Sequence, residues 1–192
     1  MTTDTGALTT DSEALVRRAY HLAEGDVLDV QGFIDLFAED GVFKGIGGVS
    51  GQESYRGEHL GDVVVWMGEL LPDVHRELHR VNVLGDVVAI ELSIRGTFLG
   101  PFETPAGVIQ PTGVELVIPT ADFWYVRDGK IQEFNCHIGM TTMFAQLGVL
   151  PDFESAVAAS APERKADGQG CAAQQPRTSG RVAPASDGVL SS

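Results

Sequence analysis

Basic residues are scarce in this chain: 13 lysines and arginines stand against 27 aspartates and glutamates, a formal net charge of −14. The imbalance is concentrated, with 24 acidic and 9 basic side chains in residues 1–155 but 3 and 4 in residues 156–192. Binding to a phosphate backbone needs clustered Lys and Arg, and none is present, so the expectation is no nucleic-acid partner and no anionic membrane partner. Cysteine is nearly absent. Cys136 sits in an apolar strand pattern and Cys171 in a low-complexity stretch, so a structural disulfide is not expected and no oxidising compartment is implied. Long apolar runs are missing, and none reaches bilayer-spanning length. The opening MTTDTGALTTDSE has neither a basic region nor an apolar core of the secretory kind. A soluble cytoplasmic protein is the expectation. The five histidines (21, 59, 75, 79 and 137) form no HxxxH-type helical pair with a matching acid, and there is no CxxC, so no metal site is expected. The glycine-rich KGIGGVSGQESYRG matches neither GxxxxGK[ST] nor GxGxxG after a strand, which argues against a phosphate loop.

What remains is patterned. Hydrophobic residues make up 43% of the chain, enough for one real core. Residues 1–10 read as a flexible N-terminus, 11–155 as one globular domain, and 156–192 as an Ala/Gly/Ser/Pro-rich disordered tail. That tail lacks the large apolar side chains needed to offset the entropy of ordering. A first helix starts near Asp11 or Ser12, with capping-box spacing from Thr10 to Glu13 and an apolar stripe of Leu15, Val16, Ala19, Leu22 and Ala23. A second follows from Val30, Phe33, Ile34 and Phe37 at helical spacing, ended by AEDG at 38–41. Val42 and Phe43 open a short strand, and a third helix runs from about Glu58 to Leu71. Long strands come next, joined by good hairpin turns at Leu84-Gly85-Asp86-Val87 and Arg127-Asp128-Gly129-Lys130. Gly96 and Gly100 interrupt the middle strand, as curling bulges do. The order predicts an α+β fold in which a cone-shaped, curved, largely antiparallel sheet packs on three N-terminal helices.

These segments carry a family resemblance. LPDVHREL, VLGDVVAIELSIRGTFLGPF, QPTGVELVIPTADFWYVRDGKIQEF and MFAQLGVLP resemble the SnoaL-like polyketide cyclases of the nuclear-transport-factor-2-like superfamily, which also holds limonene epoxide hydrolases and ketosteroid isomerases. The likeness spans roughly residues 12–152. It implies a cone-like α+β barrel, homodimerisation, and cofactor-free acid–base chemistry on a hydrophobic, oxygenated, polyketide-like molecule: cyclisation, isomerisation or epoxide opening. The chain departs from the family pattern at three places, one of them Gly139, where relatives often carry an aspartate. Phe98 stands in GTFLG where relatives carry a histidine, and Cys136 stands where relatives carry an acid. A non-catalytic binding or assembly protein on the same fold is therefore the alternative, and epoxide opening, which needs paired acids and an arginine in the cavity, a further one.

Alternation selects the side chains that face a pocket. Positions 114, 116, 118, 120, 122, 124 and 126 share one face and read Val, Leu, Ile, Thr, Asp, Trp, Val. Asp122 thus falls among apolar neighbours, where desolvation raises a carboxyl pKa and suits it to acid–base work. His79 shares a face with Val81 and Val83 and is the candidate assisting group. Phe134, Cys136 and Ile138 share another inward face, and Cys136 and His137 point apart, so they make no nucleophilic pair. Glu91 and Arg95 fall on the outer face as a surface ion pair, opposite Ile90, Leu92 and Ile94. Expected pocket walls are Tyr20, Tyr55, Trp66, Phe98, Trp124, Phe134 and Cys136; the resemblance, whose members often line the cavity with the first helix, implies that Tyr20 is the phenol that meets a substrate oxygen.

Overall fold

The computed structural model describes residues 5–48, 51–104 and 106–149, together with 157 and 160; the expected tail at 156–192 falls almost wholly outside them. Helix α1 spans Thr5–Leu22 and α2 spans Val30–Ile34. Strands β1 (Phe37–Gly48) and β2 (Gly51–Arg56) follow, then a 3-10 turn at Gly57–Gly61 and α3 (Asp62–Leu70). The long strands are β3 (His75–Leu84), β4 (Val87–Thr97), β7 (Glu115–Arg127) and β8 (Lys130–Ile138). A short pair, β5 (Phe102–Thr104) and β6 (Gly107–Ile109), sits between β4 and β7, and α4 (Met140–Gln146) follows β8.

Among the described residues, six strands form one sheet in the order β2-β1-β8-β7-β4-β3. All neighbours are antiparallel except β1 and β8. Alternation builds the centre of this curved sheet: every second residue of β7 from Leu116 to Val126 is buried. The β7–β8 turn holds because Asp128 and Gly129 take φ of 53° and 69°, the left-handed pair that a tight hairpin needs. Helix α1 lays Val16, Ala19 and Tyr20 on the inner face, and α3 adds Val64 and Met67. The core lies between those helices and the sheet. Burying a single large apolar side chain there contributes about 1.5–3 kcal/mol.

Several expectations need correction. Helix α1 begins at Thr5, ahead of the capping box read at Thr10. Phe37 opens β1 rather than closing α2, and AEDG lies inside that strand. The glycine-rich segment is a hairpin whose second strand, β2, the polar and glycine content concealed. Gly96 and Gly100 are not bulges. Gly96 pairs in register with Leu116, and a Cβ there would sit 2.9 Å from the Leu71 Cβ. At Gly100 it would overlap the backbone carbonyl of Glu69. These glycines let the end of α3 press on the sheet. The outer face of β4 is as expected, but its charges pair across strands: Arg95 with Glu77 at 2.7 Å and Arg80 with Glu91 at 3.6 Å. Arg80 and Glu91 stand directly opposite each other and Arg95 and Glu77 diagonally, both pairs nearer than Glu91 and Arg95 along their shared strand.

Candidate active site

A cavity of about 590 Å³ opens between the inner face of the sheet and the helices, within the range of small-molecule sites. Ala19 and Tyr20 line it from α1 and Ala23 from just past its end, Val63, Trp66 and Met67 from α3, and Phe43 and Tyr55 from the β1–β2 hairpin. Arg76 enters from β3, Asp122 and Trp124 from β7, and Phe134, Cys136 and Ile138 from β8.

Its polar centre is Asp122, which is 2% exposed. The Tyr20 hydroxyl donates to Asp122 Oδ2 at 2.7 Å, and Trp124 Nε1 donates to the Tyr20 oxygen at 2.9 Å. The Trp124 ring is held in turn: it stacks on Phe134 at 3.5 Å between centroids and meets Tyr20 edge-on at 5.3 Å. Asp122 Oδ1 has no hydrogen-bond partner. The Cys136 thiol, opposite Asp122 in the β7–β8 register, adds a weak interaction that falls short of hydrogen-bond geometry. Burial pushes the Asp122 carboxyl up to about 6; the Tyr20 hydroxyl, the Cys136 thiol and the Arg76 charge pull the other way without cancelling it. Burial and the neighbouring carboxylate push the Tyr20 phenol and the Cys136 thiol well above their ordinary ranges. Near neutral pH the group able to exchange a proton is therefore Asp122, with Tyr20 its neutral donor.

Tyr20, Tyr55, Trp66, Asp122, Trp124, Phe134 and Cys136 all line the cavity. His79 does not. It is exposed, and its Nε2 shares a 2.8 Å hydrogen bond with Ser93 Oγ on the outer face. The cause is a bulge: Leu78 pairs with Leu92 but Arg80 with Glu91, so the strand changes phase at His79. Period-2 counting back from Val81 and Val83 crosses that break and lands on the wrong face. The same break hid Arg76, which shares the inward phase with Leu78. Phe98 is also displaced from its expected role. It is fully buried in the core and does not line the cavity, its backbone being fixed by Val114 and Gly113.

Among the described residues no group of three or more His, Cys, Asp or Glu side chains could hold a metal ion, and no helix is long and apolar enough to cross a membrane. A curved sheet closed by helices around a cavity with a buried carboxyl group defines the class of fold. The SnoaL-like domain profile matches residues 16–134, and the chain belongs to that family. Solved structures agree. A candidate SnoaL-like polyketide cyclase from Jannaschia sp. CCS1 superposes with a TM-score of 0.64 at 16% identity, covering 75% of this chain and 96% of that one. AclR, a candidate hydroxylase from Streptomyces galilaeus, gives 0.62 at 21% identity, covering 80% and 95%. An epoxide hydrolase of the LEH-like type from M. tuberculosis gives 0.54 at 16% identity, covering 79% and 96%. No curated protein matches the chain in sequence. At these identities the likeness establishes the fold, and the three names describe different reactions, so chemistry must be argued from the site.

Proposed function

We propose that this protein is a cofactor-independent enzyme of the cyclase or isomerase kind, acting on a hydrophobic, oxygenated, polyketide-like molecule. Asp122 serves as its general acid–base. The observation that carries the reading is the Tyr20–Asp122 pair: a buried carboxyl with a pKa of about 6, hydrogen-bonded to a neutral phenol, among the aromatic and aliphatic side chains that make up most of the cavity wall. The carboxylate form takes a proton from carbon next to a carbonyl. Once protonated, it returns that proton at a second position while Tyr20 remains a donor. Cyclisation and isomerisation share that first step.

The test is therefore proton exchange rather than a guessed product. A hydrophobic 1,3-diketone in D₂O exchanges its α-protons, which NMR follows directly. The wild type accelerates exchange, Asp122→Asn lowers the catalysed rate on the order of 100-fold or more, and His79→Ala leaves it unchanged. Equal rates for wild type and Asp122→Asn defeat the assignment. Binding without exchange supports the non-catalytic alternative. Epoxide opening is a second reading, favoured by Arg76 and by two further carboxylates, Asp62 and Glu103, on the cavity lining. Pairing of two copies through the outer sheet face, where Val117, Phe123 and Tyr125 are exposed, belongs to the same proposal; a monomer in sedimentation velocity would refute it.

A further inference from the structure

Arg76 is a cavity-lining cation whose donors the fold leaves mostly unused. Its side chain is 10% exposed. Nη1 donates to the Ala23 carbonyl at 2.6 Å and stands 3.9 Å from Glu24 Oε1. A guanidinium carries five N–H donors, and among the described residues no hydrogen bond to Nε or Nη2 is present. Those two nitrogens are not sealed away either. Among the described residues, the fully buried side-chain nitrogens and oxygens without partners are Asp122 Oδ1 and Asn135 Oδ1 alone. Neither Nε nor Nη2 is among them, and Arg76 lines the cavity.

Glu24 does not use up this cation. Its carboxylate accepts the Arg76 backbone N–H at 3.0 and 3.3 Å and shares a 2.9 Å contact with His75 Nδ1. At 3.9 Å from the guanidinium it is too far for a forked pair. The Ala23 carbonyl, one residue past the end of α1, accounts for Nη1 as a tether. It leaves the other edge of the guanidinium plane unexplained, and that edge has the geometry that grips two oxygens at once.

We propose that Arg76 anchors a carboxylate on the molecule bound in the cavity, so that the ligand class is a hydrophobic acid rather than a neutral compound. This rests on reading the cavity as the ligand site, not on the reaction assigned to it.

Both tryptophans of the chain, Trp66 and Trp124, line the cavity, so intrinsic fluorescence reports its occupancy. The probes are adamantanecarboxylate and its neutral twin adamantanecarboxamide, titrated into the full chain at pH 7. The carboxylate binds about tenfold or more tightly than the amide. Arg76→Met erases that ratio while amide binding persists. Glu24→Gln, which removes the competing charge and keeps an acceptor for the backbone, widens the ratio; it carries the test should Arg76→Met fail to fold. A wild type that binds both probes equally overturns the proposal, and so does a ratio that neither substitution moves. A purely structural tether predicts loss of stability with the ratio intact. Neither probe binding at all removes the cavity reading together with this one.

Discussion

Replacing Asp122 by asparagine separates the electrostatics of the site from its packing. The carboxyl is pushed from an ordinary 3.8 up to about 6 in the folded state, a difference of roughly 2 units, or about 3 kcal/mol between its two protonation states. The folded state binds the proton more tightly than the unfolded chain. Below about pH 4 the group is protonated in both states and costs nothing. Between about pH 4 and 6 stability falls as pH rises, and above about 6 the full penalty is in place. Asparagine removes that titration. Its amide nitrogen would inherit the partnerless position of Oδ1, at a cost of about 1–3 kcal/mol, but that cost does not depend on pH. The stability of Asp122→Asn relative to the wild type should therefore rise by about 2–3 kcal/mol from pH 4 to 7.5, whatever its absolute value. Urea unfolding at several pH values, followed by far-ultraviolet circular dichroism, measures it. A difference that stays flat across that range would show that Asp122 is not a buried, proton-shifted group, and the acid–base assignment would fall with it.

Tyr20→Phe removes the donor to Asp122 and the acceptor for Trp124 Nε1; it should cost about 1–3 kcal/mol at pH 7. Because the Tyr20 hydrogen bond holds the folded-state Asp122 pKa down, its loss should also extend the upper end of the stability decline to higher pH, read in the same unfolding series. Gly100→Ala should destabilise by about 1–3 kcal/mol through collision with the Glu69 carbonyl, measured as a lowered denaturation midpoint. Gly129→Ala, with nothing near its would-be Cβ but a φ of 69°, should cost about 1 kcal/mol through backbone strain alone.

Local pattern succeeded where the physics was local. The inward face of β7 could be read from alternation because that strand runs without a break against β4 from Glu115 to Tyr125. The Asp-Gly turn before β8 could be read because few residues tolerate its backbone. Pattern failed where structure depended on a partner. The β1–β2 hairpin is held by its ladder rather than by propensity, and the phase change at His79 exists only in the register between β3 and β4.

The amino-acid order alone determined the α+β class, the position of the long strands and the presence of an acid among apolar residues at 122, because periodicity and turn chemistry act over a few residues. Only the tertiary structure decided what that acid meets. Tyr20 lies 102 residues away in sequence and Trp124 is joined to it across 104, and Arg76 turns inward through a one-residue bulge. Contacts of that span form only when helix and sheet bury their apolar faces together, and no stretch of neighbouring residues encodes the distance between them.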